Sequence, residues 1–182
     1  MKDALLILAS GFEEIEALAP VDILRRAELS VVVASTVEGP VTGRCGVKVV
    51  ADTTLDNVLG EEFRLIILPG GAKGTENLRS DTRVLELIRR QYSAGRFIAA
   101  ICAAPTVLKA SGIIKGRCVT SHPTVREELK EATLCDERVC VDGNIITSQG
   151  PGTALEFAFK LAELLAGKEV VERINRGVLA RL

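Results

Sequence analysis

A cysteine stands between an apolar run and a proline in the segment FIAAICAAP, residues 97–105. Cys102 follows a predicted strand and precedes a predicted helix, which is the local architecture of a nucleophile elbow. Such a turn is crowded and needs small neighbours. Four alanines meet that need: Ala99, Ala100, Ala103 and Ala104. The start of the helix would direct N–H groups and a positive dipole end at the sulfur and lower the thiol pKa. The alternative is a small buried core residue, as most free cysteines are.

Two other side chains could act together with this thiol. His122 is the only histidine and stands in TSHP after a predicted strand, where it could transfer protons near neutral pH or be an ordinary surface residue. Glu13, Glu14 and Glu16 follow the first predicted strand, and the positive end of a helix would explain the first two. Glu16 lies between two apolar residues, so we expect it to point inward, where burial would raise its pKa and keep it protonated.

Glycines follow another predicted strand in LPGGAKG. This segment lacks the spacing of a phosphate-binding loop, so it is a weak indication of nucleotide binding. Gly70 and Gly71 would instead let backbone N–H groups approach a substrate oxygen, together with the N–H of Ala103. A second glycine-rich turn, SQGPGTA, has a simpler interpretation as a tight connection before a helix.

Apolar strands alternate with helices along the chain. Strands are predicted at 5–9, 30–36, 64–71, 96–101, 118–123, 138–143 and 144–150. Helices are predicted at 13–28, 81–95, 104–112 and 153–179, with a break near Gly167, and there is a hairpin at 41–52 and a helical turn at 54–59. This pattern predicts one α/β domain over residues 1–182, with a largely parallel sheet covered on both faces. The candidate residues follow strands, and such sheets bind ligands at the carboxyl ends of their strands.

Composition excludes several classes of function. The net charge is −1 and aromatic residues make up 3%, so neither nucleic acid nor an anionic membrane is an expected partner. No apolar stretch is long enough to cross a bilayer. The N-terminal residues superficially resemble a secretion signal, but Asp3 and the acidic group favour a first buried strand.

The five cysteines show no metal-binding spacing and no CxxC pair. They predict reduced thiols in a cytoplasmic protein without a metal ion. We expect Cys118 to be a core residue and Cys45 to be exposed. Cys135 and Cys140 bracket a predicted turn and could pair if they were oxidised.

Several motifs in fixed order resemble the ThiJ/PfpI superfamily and, within it, the branch of the parkinsonism-associated protein deglycase, DJ-one. They are GFEEIEALAPVDILRRA, LPGG, AAICAAPTVL, VTSHP, ITSQGPGTALEFA and the tail GKEVVERINRGVL. The resemblance implies a flavodoxin-like three-layer sandwich of the class I glutamine-amidotransferase type that forms a homodimer. It makes Cys102 an oxidation-sensitive nucleophile, Glu16 its protonated partner and His122 a nearby base. It also assigns oxyanion-type N–H groups to Gly71 and Ala103.

The activity that this resemblance implies is a glyoxalase or deglycase that needs no cofactor. Its substrates would be methylglyoxal, glyoxal or their early adducts on amines. The alternative is a redox-sensing stress chaperone that uses oxidation of Cys102. A cysteine peptidase is the least favoured reading, because Ala103 stands where the peptidase branch carries histidine.

One position departs from the family pattern. Members of the branch often carry cysteine-serine-arginine in the hairpin, where this chain has Gly43, Arg44 and Cys45. A shift by one residue would reverse the face of an arginine in a strand. This argues against an inter-subunit contact or an anion-holding role for Arg44.

Overall fold

A mostly parallel sheet forms the centre of the computed structural model, which describes residues 1–180. The strands of this described part are β1 (Lys2–Leu8), β2 (Val31–Ser35), β3 (Val41–Thr42), β4 (Lys48–Val49), β5 (Thr53–Thr54), β6 (Phe63–Leu68), β7 (Phe97–Ile101), β8 (Cys118–Val119), β9 (Thr133–Leu134), β10 (Val139–Asp142) and β11 (Ile145–Ser148). Its α-helices are α1 (Glu14–Arg26), α2 (Ala72–Ser80), α3 (Thr82–Ser93), α4 (Pro105–Ala110), α5 (Ala154–Ala166) and α6 (Lys168–Val178). The predicted domain end at residue 182 lies outside the described residues.

The strand order of the central sheet is β10-β11-β7-β6-β1-β2-β5. All neighbours pair in parallel except β10 and β11, which form an antiparallel hairpin. The chain extends the sheet from β1 toward β5 and then returns to build the other half from β6. The order therefore reverses between β1 and β6, and ligands bind at such a switch point in open α/β sheets.

Helices cover both faces of this sheet. The hydrophobic core on one face contains residues of α1 and α5, and the core on the other face contains residues of α2, α3 and α4. Successive residues of β7 alternate between the two cores, since side chains of a strand point to opposite faces. The three-layer α/β sandwich predicted from the sequence is confirmed.

Most of the predicted elements are present. The hairpin at 41–52 is the antiparallel pair of β3 and β4, and the helical turn at 54–59 is a 3₁₀ helix at Leu55–Val58. The last helical stretch divides at Gly167, whose φ of +89° favours glycine. Among residues 1–180, no helix is both long and apolar enough to cross a membrane.

Helix α2 was missing from the prediction. It buries only one large apolar side chain, that of Leu78, so its sequence has almost no helical periodicity of hydrophobic residues. Close backbone packing replaces side-chain packing here. A Cβ atom on Gly74 would lie 2.8 Å from the Cα of Phe12, which shows how near the helix approaches the loop after β1.

The prediction of a strand at 118–123 was wrong, because the observed strand is shorter and does not belong to the central sheet. Only β8 is extended, and it pairs with β9 outside the central sheet. Beyond it the backbone N–H of Thr120 donates to the side-chain oxygen of Thr147 at 2.9 Å, so a side chain replaces the backbone ladder. His122 therefore lies beside the central sheet, before a 3₁₀ helix at Pro123–Leu129, and not at the end of one of its strands.

Candidate active site

Cys102 occupies the sharp turn between β7 and α4. Its φ is +65°, a conformation that residues other than glycine seldom adopt and that persists only where the surroundings hold it. The backbone on both sides provides this hold: the Cys102 N–H donates to Ser148 O at 3.0 Å, and Cys102 O accepts from the His122 N–H at 2.9 Å. The predicted sharp turn between a strand and a helix is present at Cys102.

Three groups surround the sulfur of Cys102. The backbone N–H groups of Gly71 and Ala103 donate to Sγ, and the carboxyl group of Glu16 forms a hydrogen bond with the thiol. Glu16 is fully buried at the start of α1. The predicted inward orientation of Glu16 is therefore present, and the two N–H groups expected at Gly71 and Ala103 face the sulfur itself.

The backbone N–H of Gly70 has a different hydrogen-bond partner from the one expected. Its N–H donates to Glu16 Oε2 at 2.8 Å and so does not face a substrate oxygen. A Cβ atom at this position would lie 2.5 Å from Glu16 Oε2 and 2.7 Å from the Cβ of Cys102. Glycine is needed here because the carboxyl and thiol groups meet in the space that a side chain would fill.

Gly71 is constrained by the loop after β1. Its φ is +88°, and a Cβ atom would lie 2.4 Å from Gly11 O. The Gly70 carbonyl in turn accepts from the Glu13 N–H at 3.0 Å. These contacts join the ends of β1 and β6, and they orient the Gly71 N–H toward the sulfur.

Burial is the largest influence on the pKa values of Glu16 and Cys102. It raises the pKa of Glu16 to about 7, against the opposing hydrogen bonds from Gly70 and Cys102. Burial also raises the pKa of Cys102 to about 12, helped by the negative charge and hydrogen bond of Glu16 and opposed by the N–H groups of Gly71 and Ala103. The expectation of a lowered thiol pKa at Cys102 is thus wrong, because desolvation outweighs the N–H groups while Glu16 is ionised.

The thiol and carboxyl groups nevertheless give the site one negative charge above pH 7. Two interacting groups titrate as a pair, and the first proton leaves near the lower value. The remaining proton can reside on the carboxyl group, which leaves a thiolate facing two N–H donors. In that tautomer of the singly charged pair, Glu16 carries the proton of the thiol and Cys102 is a thiolate.

His122 shares a cleft with Cys102. The cleft has a volume of about 870 Å³, and Gly71, Ala103 and Arg44 also line it. The His122 ring is half-buried, and its Nδ1 lies 2.8 Å from the hydroxyl oxygen of Thr124. Sequence reasoning missed Thr124, which lies two positions after His122.

Arg44 lies on the wall of this cleft. It belongs to the loop between β3 and β4 rather than to a strand, so the argument from strand faces does not apply. Its guanidinium group pairs with Glu13 Oε2 at 3.1 Å. The other cations that line the cleft, Lys73 and Arg79, pair with Glu76 and Glu128. The cleft therefore presents little unpaired positive charge.

Two side-chain clusters in the described residues have donors spaced for a metal ion. One contains Cys118, Cys135 and Cys140, and the other contains Glu13, Glu14 and Cys45. Neither includes Cys102 or His122. The sequence spacing of the cysteines gave no sign of the first cluster, because only the fold brings them together.

Fold and site together define a class: α/β proteins with a cysteine at the elbow after a central parallel strand. Residues 2–164 match the DJ-1/PfpI family, and the chain belongs to that family. This confirms the resemblance found in the sequence.

The relatives cover almost the whole chain. Protein dj-1beta of Drosophila melanogaster is 44% identical over 182 residues, covering 98% of this chain and 97% of that one, and its crystal structure matches with a TM-score of 0.96. The glutathione-independent glyoxalase DJR-1.2 of Caenorhabditis elegans is 41% identical over 171 residues, covering 92% and 91% of the two chains. The structure of oxidized Toxoplasma gondii DJ-1 is 36% identical, with 98% of each chain covered and a TM-score of 0.93.

The substitution Glu16→Gln separates the two titrations of the pair. Gln keeps an oxygen for the Gly70 N–H but cannot accept the thiol proton. Alkylation of wild-type Cys102 by iodoacetamide should accelerate with an inflection near pH 7, and this inflection should be absent in the variant. Mass spectrometry of the alkylated peptide measures the rate, and exposed Cys45 is the internal control.

The pH dependence of urea unfolding gives an independent measurement of the pKa of Glu16. The pKa of folded Glu16 is about 7 against an ordinary value of 4.5, so the folded state keeps a proton that the unfolded state releases in this window. As the pH rises from 4.5 to 7, the free energy of unfolding of the wild type should therefore fall by up to about 3 kcal/mol relative to that of Glu16→Gln. An equal pH dependence of the two proteins would contradict a buried, protonated Glu16.

Proposed function

We propose that this protein is a glyoxalase that converts methylglyoxal or glyoxal into a hydroxy acid without glutathione. The observation that carries the proposal is the contact of the buried Glu16 carboxyl group with the Cys102 thiol, at an elbow that opens into the cleft of His122. The C. elegans relative named as a glutathione-independent glyoxalase supports the same reading. Because the cleft cations are paired, the cleft suits a small uncharged substrate.

The first step joins sulfur to the aldehyde carbon. Glu16 takes the thiol proton, the thiolate of Cys102 attacks, and the aldehyde oxygen receives a proton to give a hemithioacetal. The N–H groups of Gly71 and Ala103 face this sulfur, so they stabilise the thiolate from which the attack starts.

The second step moves hydrogen within the bound substrate. A proton leaves the carbon attached to sulfur and another is added to the neighbouring carbonyl carbon, through an enediol, with His122 and Glu16 as the proton carriers. One carbon is oxidised as the other is reduced, so no external oxidant is consumed. Water then cleaves the carbon–sulfur bond of the thioester and releases lactate from methylglyoxal or glycolate from glyoxal. The same attack on early adducts of amines would appear as deglycase activity.

Lactate formation from methylglyoxal, measured enzymatically without glutathione, tests this mechanism. Cys102→Ala should reduce the rate to the uncatalysed level, because the covalent intermediate cannot form. His122→Ala should reduce kcat by about 100-fold to 10,000-fold, as expected for loss of a proton carrier. Cys45→Ser, which removes an exposed thiol, should keep the wild-type rate. Full activity of Cys102→Ala would eliminate the proposal.

A second candidate function is redox sensing at the same sulfur. A sulfinate at Cys102 would place negative charge beside two N–H donors and a protonated carboxyl group. Within the described residues, Glu16 Oε1 is buried without a hydrogen-bond partner, so this group has unused capacity to bond an oxidised sulfur. The homologous structure of an oxidized protein is consistent with this candidate.

Mild peroxide treatment followed by peptide mass spectrometry tests this second function. Two equivalents of hydrogen peroxide convert the thiolate to a sulfinate and release two waters. We expect Cys102 to gain two oxygen atoms before exposed Cys45 gains any, although Cys102 is less accessible. Preferential oxidation of Cys45 would argue that the surroundings of Cys102 do not favour an oxidised anion.

We also propose that the protein is a cytoplasmic homodimer. Its five cysteines are free, as expected for a reducing compartment. Exposed apolar side chains lie on neighbouring elements: Ile15 and Leu18 on α1, and Val47 and Val50 on the β3–β4 hairpin. The hairpin contacts the start of α1 through the Cys45 N–H, which donates to Glu14 Oε1 at 2.8 Å. These side chains could form the apolar centre of an interface between two copies.

Light scattering should give twice the 19.5 kDa mass of one chain. Leu18→Asp should shift the protein to the monomer mass, since it buries a charge in the proposed interface. Val141→Asp changes a similarly exposed residue on β10 and should leave the mass unchanged. A monomeric wild type would refute the dimer and leave the proposed chemistry untouched.

A further inference from the structure

Three cysteines that play no part in the proposed chemistry converge at the end of the sheet remote from β5. The sulfur atoms of Cys118, Cys135 and Cys140 all lie within 4.8 Å of one another. Cys140 is 6% exposed, whereas Cys118 and Cys135 are half-buried and give solvent access to the cluster. We call these three residues the thiol cluster.

Strand pairing explains why the three sulfurs converge. Cys118 lies opposite Thr133 in the parallel pair of β8 and β9, and Cys135 is two residues further along, which returns it to the same face. The Cys135 N–H donates to Val119 O at 3.0 Å and continues this pairing. The Cys140 thiol on β10 completes the cluster by donating to Cys118 O at 3.4 Å.

Asp142 fixes the position of the first of these cysteines. Its Oδ2 accepts from the Cys118 N–H at 2.7 Å, while its other oxygen pairs with Arg117 at 3.4 Å. The Arg117 guanidinium group also donates to the hydroxyl of Tyr92. The backbone of the thiol cluster is therefore held before any ligand binds, so little ordering would accompany binding.

We propose that the thiol cluster binds one soft monovalent metal ion, Cu(I), through three sulfur ligands. Thiolates select soft ions such as Cu(I) and Zn(II). Structural zinc sites require four protein ligands. Over residues 1–180, no fourth cysteine, histidine or carboxylate joins this cluster within the same spacing. Three sulfurs without a fourth ligand suit a trigonal Cu(I) ion.

Binding of the ion must displace protons. The buried Cys140 thiol donates to Cys118 O and so carries a proton before the ion binds. The ion replaces the proton on each thiol that it binds, and the protons pass to the buffer. Affinity should therefore increase as the pH rises.

The test uses reduced, metal-free protein carrying Cys45→Ser and Cys102→Ser, so that the thiol cluster holds the only cysteines. Anaerobic titration against the Cu(I)–bicinchoninate complex should transfer one Cu(I) per chain. X-ray absorption should show three sulfur neighbours around copper. Addition of Cys135→Ser should weaken binding by at least about 100-fold, more than the loss of an outer contact to a metal ligand. Thr133→Ser, on the same face of β9, should bind as the parent does.

A thermal shift provides a second measurement that does not depend on the chelator. Cu(I) should raise Tm in the parent protein and not in the Cys135→Ser or Cys118→Ser version, because a ligand that binds the folded state stabilises it. Absence of copper transfer, equal affinity after Cys135→Ser, or displacement of Cu(I) by equimolar Zn(II) would each overturn the proposal.

Discussion

Contact between a buried carboxyl group and a half-buried thiol is the constraint on which the site depends. Glu16 and Cys102 come from different elements, the start of α1 and the turn after β7, and burial raises the pKa of both groups. Glu16 is fully buried and Cys102 is half-buried at the cleft, so internal donors are needed to stabilise the single charge of the pair. The N–H groups of Gly70, Gly71 and Ala103 are those donors, one toward the carboxyl oxygen and two toward the sulfur.

Backbone shape follows from this requirement. Donor N–H groups can approach the half-buried thiol and the buried carboxyl group only where no side chain intervenes, which explains the glycines after β6. Cys102 itself must take a left-handed conformation to place its sulfur among them, and its backbone is held from both sides by Ser148 and His122. A cysteine in a strained conformation, two glycines and the adjoining strands therefore form a single structural unit.

The sequence alone predicted those parts of this unit that depend on a local pattern of residues. Apolar runs with alternating helices predicted the sheet, and small residues around Cys102 predicted its elbow. The sequence pattern did not predict helix α2, because this helix packs through the backbone at Gly74 and not through a stripe of hydrophobic side chains. The extent of the strand before His122 was wrong because a side-chain contact from Thr147 ends the ladder there. Long-range contacts of this kind leave no periodic signal.

The sign of the thiol pKa shift at Cys102 was unpredictable from sequence for a related reason: it depends on the depth of burial, which outweighs the N–H donors. The thiol cluster shows the converse case. Cys118, Cys135 and Cys140 have one another as neighbours and lack the carboxylic acid and the paired N–H donors that Cys102 has. The N–H groups of Gly71 and Ala103 offset part of the cost of a negative charge on Cys102, whereas negative charge on three adjacent sulfurs requires a cation. Cysteine sulfur therefore has different surroundings at the two places, and these surroundings support the nucleophile proposed at one and the metal ligand set proposed at the other.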